Sequence, residues 1–197
     1  MGVHKALRGQ EIALKQKLPV GQLIESAGAN LLRQSEMFVP GGRTFANLAR
    51  LSAAGCPVIS VVHGSSTAGG AYQTGLSDYV IVVRGRSKVF LAGPPLLKAA
   101  TGEIATDEDL GGAEMHFHVS GVADYIAEND ADGLRIAREI AAKLDWNKDA
   151  PARARSRREP LYDPEEILGI TPADYRTPYD VRENIARIVD GSDILGF

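Results

Sequence analysis

The chain has 197 residues, with 22 Lys+Arg against 25 Asp+Glu and a formal net charge of −3 at pH 7, which gives no support to a nucleic-acid surface. Hydrophobic residues make up 44% and charged residues 24%, which excludes disorder of the whole chain, and no apolar run reaches the about 18 residues of a membrane span. The one cysteine, Cys56, excludes an intrachain disulfide and a cysteine metal site, and it fits a reducing compartment.

In chain order, Val3 to Lys17 reads as a helix with Ala6, Leu7, Ile12, Ala13 and Leu14 as a broken apolar face, ended by Pro19. Pro19 to Glu25 reads as a short strand, and Ser26-Ala27-Gly28-Ala29-Asn30 as a loop of small residues. Pro40-Gly41-Gly42 predicts a turn before a helix over Arg43 to Ala54, with Phe45, Leu48, Ala49 and Leu51 inward. Pro57 to Val62 is the clearest buried strand, short and β-branched. His63 to Gly70 reads as a small-residue loop and Ala71 to Leu76 as the helix after it. Asp78 to Val83 and Lys88 to Leu91 are further strands, and Pro94 to Ala100 is helical. Thr106 and Asp109 form a capping box. Asn129 or Asp130 caps a long helix to about Leu144, with Leu134, Ala137, Ile140 and Ala141 inward.

After Leu144 the composition changes. Residues 145 to 180 hold five of the ten prolines and arginines at 153, 155, 157 and 158, which reads as an extended arm, followed by a short helix over Val181 to Val189. No internal repeat is visible. The expected organisation is an α/β domain over 1–144 and an arm over 145–197.

The strongest chemical feature is the step from strand through His63-Gly64-Ser65-Ser66-Thr67-Ala68-Gly69-Gly70-Ala71 into a helix. A helix that starts in glycines exposes unpaired N–H groups at its positive end, and these can bind a developing oxyanion. No Gly-Lys-Ser/Thr follows, and the Gly-x-Gly-x-x-Gly spacing is absent, so neither a phosphate loop nor a dinucleotide fingerprint is present. The loop around Gly28 also follows a strand, and two such loops on neighbouring strands can each offer one N–H to the same oxygen. His116 and His118 stand two apart, on one face of a strand, with no third ligand evident.

Four segments in order carry a resemblance: Ile24 to Gln34, Thr67 to Tyr72, Ala92 to Glu103 and Asp109 to His116. Together they resemble the carboxyltransferase (β) subunit of biotin-dependent acyl-CoA carboxylases. The Gly93-Pro94-Pro95-Leu96-Leu97-Lys98-Ala99-Ala100-Thr101-Gly102-Glu103 run looks most like the methylcrotonyl- or geranyl-CoA branch. The resemblance implies a crotonase-like fold of stacked ββα turns. It also implies a longer parent, of which this chain is the N-terminal half without its front, and the arm the passage to a second, similar domain. Glu25, Ala27 and Leu32 depart from the family's usual Asp, Gly and Pro, and Ala27 adds a methyl where acyl-CoA would approach.

The implied reaction moves a carboxyl group from carboxybiotin, carried by a biotin carboxylase or biotin carboxyl carrier partner, to an acyl-CoA through a thioester enolate. The implied catalytic amides are at Gly69 and Gly70 on one loop and Gly28 and Ala29 on the other. Ala27, Asn30, Ala68, Ala71, Tyr72 and Lys98 are the implied substrate-binding residues, with no metal. A homo-oligomer in the cytoplasm or mitochondrial matrix is implied, without nucleic acid or membrane. Three other readings stay open: a hydratase or isomerase using Glu103, Glu108 or Glu114 as base, a biotin-dependent decarboxylase component, and a non-catalytic assembly subunit.

Overall fold

The computed structural model describes residues 2–28, 32, 34–144, 146 and 157–194. The chain divides into two compact units, Met1–Lys148 and Asp149–Phe197.

The first unit opens with helix α1 (Gly2–Gln16), strand β1 (Val20–Ser26) and helix α2 (Gln34–Ala53). Strand β2 (Val58–Thr67) leads into α3 (Gly69–Gly75), then β3 (Tyr79–Val83) and β4 (Lys88–Phe90). Helices α4 (Pro94–Thr101), α5 (Asp107–Gly111) and α6 (Ala113–Met115) precede a π-helix (His116–Ser120), strand β5 (Tyr125–Ala127) and α7 (Asp130–Lys143). The sheet order is β1-β2-β3-β5, with β4 beside the far end of β2, and every strand pairing is parallel.

β2 is the axis of this unit. Its first five residues are all buried, as a parallel strand covered on both faces requires. Successive side chains go to opposite faces. Val62 joins Ile24, Val80, Val82 and Val89 on one side; Val61 joins Ile59, Ile81, Val83 and Ile140 on the other. A third cluster of Ala13, Leu48, Leu51, Cys56 and Val58 lies under α1 and α2.

The strand is longer than expected. Ile59–Val62 pair with β3, and Ser65–Thr67 then pair with Lys88–Phe90, so the predicted loop is strand as far as Thr67. The edge offered by β4 accounts for the extension: small hydroxyl residues with no strong preference are held extended by it.

Two turns of the chain use one device. Asp78 and Asp124 each stand one residue before a strand. The Asp78 carboxylate accepts the Val58 N–H at 2.7 Å, and the Asp124 carboxylate accepts the Val80 N–H at 2.7 Å. Each aspartate's own N–H donates to the carbonyl of the same residue, both at 2.9 Å. This is a structural repeat that local sequence patterning does not announce.

Several expectations are corrected. Pro40-Gly41-Gly42 lies inside α2 and is not a turn. The α1 face explains this: Gln10 is buried and its Nε2 donates to Thr44 O at 3.2 Å, while Thr44 Oγ1 donates to Gly41 O at 2.6 Å. Tertiary bonding thus carries the helix through residues that break isolated ones. Ala6 and Ile12 of α1, Ala49 of α2 and Ala141 of α7 are exposed, because the buried tracks are Leu7–Gln10–Ala13, Thr44–Asn47–Leu48–Leu51 and Gly133–Ile140. His116 and His118 lie on the π-helix, not a strand. Helical rotation separates them: His116 is buried, and His118 is exposed beside Glu114 at 3.1 Å. The Thr106–Asp109 capping box and the Asn129 cap are both present.

The second unit holds short helices: a 3-10 turn at Pro164–Glu166, α8 (Ile167–Ile170), α9 (Val181–Ala186) and a 3-10 turn at Asp190–Ser192. Its centre is Arg187, which is 8% exposed, pairs with Glu166 at 2.7 Å and Glu183 at 2.9 Å, and lies 5.0 Å from the centre of the Tyr162 ring. Arg157 and Arg158 are exposed; Arg153 and Arg155 lie outside the described residues.

Candidate functional site

β1 and β2 run parallel with Ser26 opposite Ser66, after a register shift between Ile24 and Ser26. Thr67 Oγ1 donates to Ser26 O at 3.3 Å and ties the two strand ends together. The chain leaves β2 at Thr67 and enters α3 at Gly69, so the whole reversal falls on Ala68. Its φ is 51° and its ψ is −120°, a region that residues with a Cβ rarely adopt. Such a conformation costs on the order of 1–3 kcal/mol and persists only where surrounding structure over-determines it. Here the Ala68 N–H donates to Phe90 O at 3.1 Å, and the Ala68 carbonyl accepts from Ala71 N–H at 3.1 Å.

Beyond this corner stand the Gly69 and Gly70 amides. They have no intrahelical acceptor, and among the described residues no other acceptor takes them. Gly69 is exposed and Gly70 is buried. A Cβ on Gly70 would lie 3.0 Å from Ser26 Cβ and 3.2 Å from Ser26 Oγ, so a side chain at this position requires Ser26, at the end of β1, to give way slightly. A Cβ on Gly69 would meet the Phe45 ring at 3.6 Å, and that ring lies 5.5 Å, centre to centre, from Tyr72. Ser66 Oγ and Thr74 Oγ1 are 3.1 Å apart and fasten α3 to β2 from below. The side chains that meet the two glycines are therefore uncharged: two serines, one of them buried, and an aromatic ring.

Of the sequence-predicted residues, Ala68, Gly69, Gly70, Ala71 and Tyr72 form this corner, and Ala27 and Gly28 stand at the end of the neighbouring strand. Gly28 has a φ of 98°, and its N–H donates to Ser26 Oγ at 3.2 Å. That amide is thus engaged locally. Ala29 and Asn30 lie outside the described residues. Lys98 is exposed on α4. Of the alternative bases, Glu114 pairs with Arg84 and His118, Glu108 lies against Gly112, and Glu103 is exposed. Among the described residues, no three His, Cys, Asp or Glu are grouped to hold a metal, and no helix is long and apolar enough to cross a membrane.

Sequence reasoning missed three contributors. Ser26 and Phe45 wall the glycines, and Phe90 supplies the carbonyl that holds Ala68. All three depend on pairing and packing between distant segments that no local pattern carries.

A model of the carboxyl transferase domain matches residues 1–197. The chain is 57% identical over 195 residues to a Mycobacterium tuberculosis protein described as a "probable biotin-dependent acyl-coenzyme A carboxylase beta2 subunit", covering 99% of this chain and 37% of that protein. It is 47% identical over 200 residues to the biotin-dependent 3-methylcrotonyl-coenzyme A carboxylase beta1 subunit of the same organism, covering 100% of this chain and 38% of that protein. Among solved structures, the P. aeruginosa geranyl-CoA carboxylase β subunit matches with a TM-score of 0.70 and 63% identity, over 98% of this chain and 36% of that one. The transcarboxylase 12S hexamer with methylmalonyl-coenzyme A bound matches with a TM-score of 0.83 and 30% identity, over 98% of this chain and 38% of that one. The chain thus spans well under half the length of the relatives it matches. Its parallel sheet is that of a crotonase-like fold, and the chain belongs to the carboxyl transferase domain family.

Proposed function

We propose that this chain supplies the acyl-CoA side of a carboxyltransferase site and that the Gly69 and Gly70 amides bind the thioester oxygen. The observation that carries the reading is the corner itself: two adjacent first-turn N–H groups, fixed by a non-glycine residue at positive φ. Removing the α-proton of a thioester places negative charge on its carbonyl oxygen. Donors already aimed at that oxygen stabilise the charge without reorganising, and losing one typically costs about 3 kcal/mol of transition-state stabilisation. Gly70 lets the oxygen approach because it carries no side chain.

Carboxybiotin, brought by a carrier partner, would supply both the carboxyl group and the base when bound. The lining of Ser26, Ser66, Phe45 and Tyr72 fits that division of labour, since it is uncharged and leaves proton transfer to the incoming group. Gly69 and Gly70 would hold the substrate oxygen during that transfer. Gly28 and Ala29 would contribute the second donor once Ser26 Oγ releases the Gly28 N–H. Ala27, at the same strand end, would meet the acyl chain. In this reading residues 1–144 are the domain that carries this corner, and 145–197 are an arm beyond it. Assembly with further copies and with a biotin-carrying partner completes the site in this reading.

The test is calorimetric titration with acetyl-, propionyl- and 3-methylcrotonyl-CoA. We expect micromolar binding of at least one thioester, weakened about tenfold or more in Gly70→Val, whose side chain keeps the N–H but crowds Ser26 and the approach to the amide. No binding of any thioester by the wild-type chain overturns the reading and favours an assembly role. The chain alone is expected not to carboxylate.

A further inference from the structure

We propose that His116 is a positioning residue for the Gly69 and Gly70 amides, acting through β4; the proposal rests on the reading of those amides as oxyanion donors.

β4 has three residues, too few to hold a position by themselves, and its two edges are used differently. The inner edge pairs with Ser65–Thr67, and Phe90 O accepts the Ala68 N–H at 3.1 Å. Carbonyls alternate along a strand, so Val89 O points to the outer edge. There His116 Nε2 lies 2.6 Å from it. A carbonyl oxygen only accepts, so Nε2 carries the hydrogen. The other ring nitrogen, Nδ1, lies 2.8 Å from Ser120 Oγ, one π-turn further on. Both nitrogens are committed, and the imidazole is buried, 9% exposed. It is therefore a strut, with no nitrogen left to act as a base or ligand.

The surroundings are shaped for this contact. Lys88 forms a bridge with Gly112 on the same edge, and a Cβ on Gly111 would lie 2.2 Å from Val89 O. Glycine at 111 is what allows the segment leading to His116 to press onto β4. Ala68 holds a conformation that needs external constraint, and its one backbone donor ends on Phe90. The chain of support is short: Ser120 to His116, His116 to Val89, and, one residue along the same strand, Phe90 to Ala68.

Amide exchange by NMR tests it. His116→Ala is expected to speed exchange of the Ala68 amide about tenfold or more, while the Val82 amide in the core changes less than about threefold. His116→Gln, which keeps a donor at the same distance along the side chain, is expected to restore Ala68 to within about threefold of wild type. Unchanged Ala68 exchange in His116→Ala overturns the proposal, as does equal acceleration of Ala68 and Val82. Should the alanine variant not fold, the glutamine variant decides: slow Ala68 exchange supports the proposal, and exchange about tenfold faster overturns it. Thioester titration runs in parallel on the same samples. Absence of thioester binding in wild type sinks the functional reading and leaves the exchange result standing, so the two failures are distinct.

Discussion

Ala68 gathers the constraint of the site into one residue. The glycines after it are legible in sequence as a helix start with free amides, but nothing in Ala68 itself signals a φ of 51°. Local preference argues against it, and only the pairing of Ser65–Thr67 with β4 imposes it. The predicted consequence is a trade. Ala68→Gly removes the Cβ strain and gives back some unfolded-state entropy, for a net stabilisation of about 1 kcal/mol. That corresponds to a melting point higher by about 2–4 °C for a chain of this size. The same change lets the corner leave its constrained geometry, so acyl-CoA affinity falls. A calorimetric melt and a thioester titration on one preparation check both halves. A lower melting point in Ala68→Gly would show that the methyl packs usefully and that its contacts outweigh the strain. Gly28 makes the complementary case: its loop was legible as a candidate donor, yet the Ser26 hydroxyl that occupies its N–H was not, because the two residues are two apart and read as one loop.

At the scale of elements, β-branched density made β2 legible, while its true end was decided by a partner strand far along the chain. The small-residue turn at Pro40 failed as a prediction for the same reason, since α1 offers α2 a surface and a buried glutamine. The π-helix had no local signature; alternate histidines satisfy a strand pattern and a helical one equally. The likeness of Ser77-Asp78-Tyr79 to Ala123-Asp124-Tyr125 announces nothing in the sequence, where Ala173-Asp174-Tyr175 shares it, and its meaning comes from the N–H groups of Val58 and Val80 in β2 and β3. Equivalence of the two sites makes a prediction. Asp78→Ala and Asp124→Ala each strand one backbone donor at a strand start, at a cost of about 1–3 kcal/mol. Because both carboxylates do the same job with the same 2.7 Å bond, their destabilisations should agree within about 1 kcal/mol by urea melts. Asp78 also accepts from Ser52 Oγ at 2.5 Å, so any excess should fall on Asp78. A larger loss at Asp124 would mean that the repeat is geometric and not energetic.

The whole molecule joins two kinds of cohesion. The first unit is held by apolar clusters on both faces of a parallel sheet, and the alternation of strand and helix patterns announced it. The second unit has no buried apolar residue among those described, and its composition of prolines, arginines and tyrosines reads as an arm. What it has instead is Arg187, whose protonated form is further favoured by hydrogen bonds to Glu166 and then Glu183. A guanidinium can satisfy both carboxylates, the Glu183 carbonyl at 2.7 Å and the Tyr162 face at once, because its donors are planar and several. An ammonium has one point of charge and cannot. Arg187→Ala should therefore collapse the amide signal dispersion of residues 163–192 while leaving Val61, Val82 and Ile140 unshifted. Arg187→Lys should rescue little of it, although the charge is kept. Full rescue by lysine would mean that net charge alone gathers these short helices, and the stacked, forked geometry would then be incidental to their fold.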